Sequence, residues 1–412
     1  MQSEQLYAQI LGITSPWRVT RVDLDMAKQR VEVHVELDPD QPARCPQCGA
    51  SCPRHNTREG RTWRHLDTCQ MQTLLTASVP RAACSEHGVV QMSVPWAAPG
   101  SRFTALFEAL VIDWLKIAPI SAVAKTLGLG WSQVDGIMQR AVKRGLERKP
   151  RRLPRRLGVD ETSFKKRHEY VTVVHDLDTL EVVHVADGRG KKALVDYFRQ
   201  FSPEELRDIE VIAMDMHMPY IVAVDEVVPA GASKIVFDKF HVAALWSKAV
   251  DLVRREEHRE LLQQGDKRLS KTKYLWLKNP TQMTDETWDS FAAVRESKLR
   301  TARAWAIKET AMEIWGAHDD ETTLRFAWKR VLDWAARSQL EPIKKVAKTL
   351  RAHLEGILRA QHYDATNASA ESLNSLIQKA KYLARGFRNR ERFRTAILFF
   401  RGGLNLYPLG SR

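Results

Sequence analysis

Residues 157–187 read LGVDETSFKKRHEYVTVVHDLDTLEVVHVAD, and the rest of the chain is organised around them. YVTVVHD and LEVVHVAD are β-branched runs at hairpin spacing, and LGVDETSF precedes them as a third apolar run. Downstream come a helical stretch, KKALVDYFRQF, then EVIAMD, a further helix and SKIVFD. The order β-β-β-α-β-α-β-α predicts a mixed sheet with helices on its faces.

Carboxylates punctuate this pattern. Asp160 is expected to end the first strand and Asp215 the central parallel one. In a ribonuclease-H-like sheet these strands are neighbours, so both side chains meet at one edge. A third acid, Glu371, opens the strongly periodic helix of NASAESLNSLIQKA, with Asn374, Ser375 and Gln378 on one polar stripe. Lys381, Arg385 and further arginines continue it, as expected of a helix that sits on a phosphate backbone. Two strand-end aspartates and a helical glutamate can hold two Mg²⁺ ions for in-line attack on a phosphodiester. Mg²⁺ takes hard oxygen ligands, and substrate phosphates complete its shell. Asp238 and His241 in FDKFHV either edge this site or form a helix N-cap with a packed histidine. His217, just past Asp215, has the same two readings.

The chain has 412 residues and a net charge of +14. A polyanionic partner follows, nucleic acid before anionic membrane. No apolar run approaches the ~20 residues that span a bilayer, and MQSEQLYAQI lacks the apolar core of a secretory signal. A protein of the cytoplasm is expected, with no membrane partner. The five cysteines, Cys45, Cys48, Cys52, Cys69 and Cys84, cluster within residues 45–84, which favours metal over disulfides. Cys45-Pro-Gln-Cys48-Gly is a zinc knuckle, and Cys84-Ser-Glu-His87-Gly supplies a second pair for a tetrahedral structural Zn²⁺. Cys52, His55, His65 and Cys69 compete for the third and fourth places.

Residues 103–117 form an amphipathic helix. Ser121 is placed to cap a short helix ending at Gly128, and Ser132 to cap a third helix to about Gly145. This resembles a DNA-binding helix-turn-helix, with Gln133, Gln139 and Arg140 as base readers or phosphate contacts. A plain three-helix bundle is the alternative. Between Arg140 and Arg156, nine basic residues face one acid, and ERKPRRLPRR marks a domain boundary whose Arg151, Arg152, Arg155 and Arg156 suit phosphates. Residues 239–360 are helical nearly throughout. Their tryptophans at 246, 276, 288, 305, 315, 328 and 334 could stack on an unpaired base, though at helical spacing tryptophan is more often core.

Taken together, the Cys45/Cys48–Cys84/His87 finger, VPWAAPGSRFT, GVDETSF, MDMHMPY, FDKFHV and SAESLNSLIQKAKYLARGFRNRERFR resemble a bacterial insertion-sequence DDE transposase of the ISL-three family. The resemblance spans almost the whole chain. It implies an α/β fold: a ribonuclease-H-like catalytic domain with a helical insertion, preceded by a β-rich zinc module and a helix-turn-helix. The expected parts are the zinc module in 1–98, the helix-turn-helix in 99–150, catalytic segments in 151–245 and 363–412, and the insertion in 246–362. It further implies that Asp160, Asp215 and Glu371 bind Mg²⁺, with Mn²⁺ as substitute. The chain would cut at the ends of a mobile element, then join the freed 3′-hydroxyl to target DNA. It would act as a dimer or larger assembly on double-stranded DNA, nucleoid-associated when bound. The rivals are a nuclease of the same fold without strand transfer, such as a junction resolvase, and a non-catalytic DNA-binding regulator derived from a transposase.

Overall fold

The computed structural model describes residues 2–165, 169–317, 320–363 and 368–409, without the side chains of 58, 59 and 368–371. The chain divides into two compact units, residues 1–150 with 382–412, and residues 151–381. The division at 150/151 lies within the Arg/Pro linker.

The first unit opens with helix α1 (Ser3–Leu11) and strands β1 (Trp17–Asp25) and β2 (Arg30–Leu37). Val31, Val33, Val35 and Leu37 alternate inward along β2, the period-2 burial that one covered sheet face demands. Short strands β3 (Ala43–Arg44) and β4 (Ser51–Cys52) make a separate two-stranded ribbon. Strands β5 (Arg54–Arg64), β6 (Gln72–Cys84) and β7 (Gly88–Gln91) complete a sheet of order β1-β2-β6-β5, with β7 also on β6. Trp17 and Trp63 pack edge-on against Trp96 in its core.

Helices α2 (Ala105–Ile117), α3 (Ile120–Thr126) and α4 (Trp131–Arg148) follow. Thr104 caps α2 by accepting the Phe107 N–H. The other two caps differ from expectation. Gly130 is the N-cap of α4, and the Gln133 side chain reaches back to accept its N–H at 2.7 Å. Pro119 is the N-cap of α3, so Ser121 and Ser132 fall within first turns rather than before them. Phe107, Val111 and Ile112 of α2, Val123 of α3, and Val134, Ile137 and Met138 of α4 share one core with Phe399 and Leu406. The C-terminal helix (Arg390–Arg401) and the tail beyond it thus belong to the helix-turn-helix core. The sequence groups residues 363–412 with the catalytic segments, and the packing of this part is with the helix-turn-helix helices instead. The physical reason is that Phe399 and Leu406 find their apolar partners there.

The second unit is built on strands β8 (Arg156–Lys165), β9 (Glu169–Asp176), β10 (Val182–Asp187), β11 (Val211–Met214) and β12 (Ile235–Phe237), in the order β10-β9-β8-β11-β12. β8, β11 and β12 pair in parallel, and β9 runs antiparallel to both its neighbours, β8 and β10. This is the mixed sheet expected of a ribonuclease-H-like domain. Helices α5 (Lys191–Phe198), α6 (Pro203–Arg207), α7 (Met218–Val227) and α8 (Gly231–Lys234) connect the strands.

The 25-residue α9 (Lys239–Gln263) leaves β12 and leads into α10 (Lys273–Leu277), α11 (Asp285–Arg295), α12 (Arg300–Gly316), α13 (Glu321–Arg337), α14 (Glu341–Ala352) and α15 (Leu354–His362). These helices do not form a core of their own. Leu157, Ile212 and Phe237 of the sheet share a continuous core with Trp246, Trp276, Trp305, Trp328 and Ile357. The close approach of α15 to β12 explains the fusion. A Cβ at Gly356 would lie 2.5 Å from the Phe237 ring, and Arg359 Nε donates to the Ile235 carbonyl at 3.1 Å. Helix α16 (Ala368–Leu383) then buries Leu373 and Ile377.

Candidate active site and metal centre

The register of the parallel pair places the first two carboxylates. Val211, Ile212 and Ala213 pair with Arg156, Leu157 and Gly158, and continuing that register by two residues sets Asp215 level with Asp160. Asp160 does not end its strand as expected, because β8 runs on to Lys165 paired with β9, with Asp160 opposite Val173. The edge at which the two acids meet arises from β11 stopping at Met214. Each carboxylate accepts the next backbone N–H, Glu161 to Asp160 at 2.7 Å and Met216 to Asp215 at 2.6 Å. Burial pushes Asp160 up to about 6, with the Asp215 and Glu161 charges adding to the rise and the Glu161 N–H and His241 opposing it.

Helix α16 is fastened to β8 by three side chains spaced along one face. Asn374 Nδ2 donates to Asp160 Oδ2 at 2.7 Å, Gln378 Nε2 to Thr162 Oγ1 at 2.7 Å, and Lys381 Nζ to the Ser163 carbonyl at 2.6 Å. The basic sequence context predicts DNA contacts for these three, and each has an intramolecular partner. Glu371 lies in the first turn of the same helix, three residues before Asn374, and its side chain lies outside the described residues.

Asp238 is buried at the N-cap position of α9, but its side chain does not cap the helix. His241, one turn on, holds Nδ1 3.6 Å from Asp215 Oδ1, ion-pair range and longer than a hydrogen bond. His217 turns elsewhere, with Nε2 3.0 Å from the Arg189 carbonyl.

The cysteine cluster lies in the first unit. Two turns face each other: the knuckle at 45–49, between β3 and β4, and the β6–β7 turn, where Cys84 pairs with Gly88. Gly49 takes a left-handed conformation (φ +74°) and donates its N–H to the Cys45 carbonyl at 2.9 Å. The ligand atoms of Cys45, Cys48, Cys84 and His87 all lie within 4.8 Å of one another. Cys48 Sγ–Cys84 Sγ is 3.7 Å, Cys84 Sγ–His87 Nδ1 is 3.6 Å and Cys45 Sγ–His87 Nδ1 is 3.8 Å. A Zn²⁺ tetrahedron with ordinary Zn–S and Zn–N bonds has edges of roughly 3.5–3.8 Å, so the cluster has the dimensions of that site. Hydrogen bonds from the backbone and ring of His87 and from the Glu86 N–H hold the Cys84 thiol down at about 6, which favours the thiolate a metal requires. The competitors sit differently. Burial raises Cys52, whose thiol donates to the Ala50 carbonyl at 3.4 Å. His65 is buried 2.9 Å from the Thr104 hydroxyl, and Cys69 and His55 are exposed.

The other candidate DNA contacts are also largely engaged. Gln139 donates to Asp135 at 2.8 Å. Arg140 forks onto the buried Glu108 at 2.6 and 3.0 Å, tying α4 to α2. Arg151, Arg155 and Arg156 face Glu205, Glu210 and Asp178, whereas Arg152 and Arg385 have no acidic partner among the described residues. Of the tryptophans, Trp246, Trp276 and Trp328 are fully buried and Trp305 nearly so, which places them in the core. Among the tryptophans of residues 239–360, Trp334 is the most exposed, at 38%. No described helix is long and apolar enough to cross a membrane.

Comparisons with known proteins follow the same order along the chain. Residues 41–87 match the zinc-finger of transposases IS204/IS1001/IS1096/IS1165, residues 92–142 the helix-turn-helix domain of transposase family ISL3, and residues 157–397 the transposase domain of that family. The transposase for insertion sequence element IS1557 of Mycobacterium tuberculosis is 26% identical, over 94% of this chain and 93% of the relative. That for IS1001 of Bordetella parapertussis is 25% identical, over 85% and 86%. With its transposase domain matched over more than half the chain and the DNA-binding and zinc-finger parts in order before it, this chain belongs to the ISL3 family of transposases.

Proposed function

We propose that the chain binds the terminal inverted repeats of an insertion sequence, cleaves the DNA strand there and transfers the freed 3′-hydroxyl to target DNA. Asp160, Asp215 and Glu371 are the catalytic metal ligands in this reading. The observation that carries it is the docking of the glutamate helix on the aspartate strand: Asn374, one turn beyond Glu371, is hydrogen-bonded to Asp160, which the parallel register sets level with Asp215.

The donor set fits Mg²⁺. Its atoms are hard carboxylate oxygens, and burial, with the Asp215 charge adding to it, holds Asp160 up at about 6, a cost of ionisation that a shared cation offsets. When bound, two such ions activate the attacking oxygen and stabilise the leaving 3′-oxygen. The chain's own residues do the positioning. The Glu161 N–H and Asn374 hold the two oxygens of Asp160, the Met216 N–H holds Asp215, and His241 lies beside Asp215. The Cys45, Cys48, Cys84 and His87 site holds one structural Zn²⁺ that fixes the N-terminal module. Two element ends must be held together, so the active form on DNA is a dimer or larger.

The test is Mn²⁺- or Mg²⁺-dependent joining of an oligonucleotide from the element end to a plasmid. Joining is the expected result; cutting without joining would leave a nuclease, and binding without cutting a regulator. Asp160→Asn, Asp215→Asn and Glu371→Gln should each abolish cleavage and joining while end-binding persists. Wild-type joining by any of the three would remove that residue from the triad.

A further inference from the structure

The C-terminal tail is locked onto the last helix of the helix-turn-helix by its backbone carbonyls. Arg144 Nη2 donates to the Leu406 carbonyl at 2.8 Å, Arg148 Nη1 to Tyr407 at 2.6 Å and Lys149 Nζ to Gly402 at 2.7 Å. Because the tail is fixed there, residues 384–392 are held beside the starts of α3 and α4. They enclose a cleft of about 470 Å³ lined by Ser121, Trp131 and Phe387 and by three arginines, Arg385, Arg388 and Arg392. No carboxylate among the described residues lines it.

We propose that this cleft is a phosphate clamp, through which the helix-turn-helix unit grips the sugar–phosphate backbone of duplex DNA using arginines from the far end of the sequence. The proposal rests on the transposase reading above. Arg392 is preorganised for this role. Asp135 accepts its Nε at 3.1 Å and its guanidinium lies 4.7 Å over the Trp131 ring, so only one edge of the fork is occupied among the described residues. Arg385 is exposed at a sharp turn, where it and Gly386 take consecutive left-handed conformations (φ +54° and +87°). The cleft opens at the N-terminal end of α4, the helix that by the geometry of such domains enters the major groove. The backbone flanking the groove is the nearest anionic surface to that end, and guanidinium groups suit phosphate oxygens. With one face of Trp131 already covered by Arg392, a phosphate fits better here than a stacked base.

The test uses the full-length protein and three probes: a duplex carrying DNA that flanks the gene, a scrambled duplex, and a single strand of the same length. Affinity is measured between 50 and 300 mM salt for wild type, for Arg385→Ala/Arg388→Ala and for Arg385→Lys/Arg388→Lys. Each lost phosphate contact lowers the slope of log K against log salt by about 0.9. The alanine pair should therefore lose about 1.8 from the slope on both duplexes, with the ratio of end to scrambled affinity kept. The lysine pair should retain the slope, and unchanged thermal unfolding of both variants verifies the fold. An unchanged slope in the alanine pair overturns the clamp, as does a loss confined to the single strand, which would mark a base site. Wild-type protein that binds none of the probes would instead refute the transposase reading itself.

Discussion

Truncating Asn374 tests whether the glutamate helix is registered on the aspartate strand by side-chain hydrogen bonds. Its amide is 2.7 Å from Asp160 Oδ2, while the other oxygen of Asp160 accepts the Glu161 N–H. Removing Asn374 therefore frees one side of the carboxylate and unfastens α16 one turn from Glu371. A hydrogen bond to a charged partner is worth about 1.5–3 kcal/mol, and a neutral one about 1 kcal/mol. If that loss falls on the transition state, Asn374→Ala slows cleavage on the order of 10- to 100-fold. A misplacement of ~1 Å at the reacting atoms leads to the same scale. Gln378 bonds neutral acceptors, the Thr162 hydroxyl at 2.7 Å and the Ser163 carbonyl at 3.5 Å, so Gln378→Ala should slow cleavage only about 5-fold. The assay is single-turnover cleavage of an end-labelled duplex in Mg²⁺, with end affinity measured on the same probe. Wild-type cleavage by Asn374→Ala would refute the reasoning, as would Gln378→Ala proving the more damaging. A large fall in affinity with intact cleavage would return Asn374 to the DNA.

Three further outcomes are expected. Cys48→Ser should lower bound zinc from one ion per chain and unfold the N-terminal module, because thiolate ligation contributes directly to folding; elemental analysis finding no zinc in wild type would remove the site. Arg140→Ala should destabilise the first unit by about 2 kcal/mol, below the 3–5 of a fully buried pair, because Arg144 still faces Glu108 and Arg140 is partly exposed. Preference for end over scrambled DNA should survive it, and loss of that preference without loss of stability would make Arg140 a reader. Burial holds His175 down at about 4 with no hydrogen-bond partner for its ring among the described residues. This folded value lies below that of the unfolded chain, so stability is present above pH 6.5 and declines as pH falls from 6.5 toward 4. At pH 5 the loss is about 2 kcal/mol. In denaturant titrations at pH 7 and pH 5, His175→Leu should show a pH-dependent loss smaller by that amount, and an unaltered loss would contradict the assignment.

Local pattern was enough for a good part of this. The β-branched runs after residue 157 specify strands, and the mixed sheet followed from their order. Paired thiol and imidazole ligands at fixed spacing signalled a metal cluster, because a tight turn alone can present two ligands to one ion. The long match to one family completed the reading. What spacing cannot carry is which polar groups satisfy each other. Gln133, Gln139, Arg140, Asn374, Gln378 and Lys381 look like DNA contacts in a basic sequence, yet each has a partner in the fold, three of them far along the chain in Asp160, Thr162 and Ser163. The helices after residue 239 read as a separate insertion, but their tryptophans share the sheet's core. The tail beyond α16 packs with the helix-turn-helix because its apolar side chains bury there. Periodicity records that a face is apolar or polar; only the tertiary structure decides what covers it, since burial and hydrogen bonding are satisfied by neighbours in space.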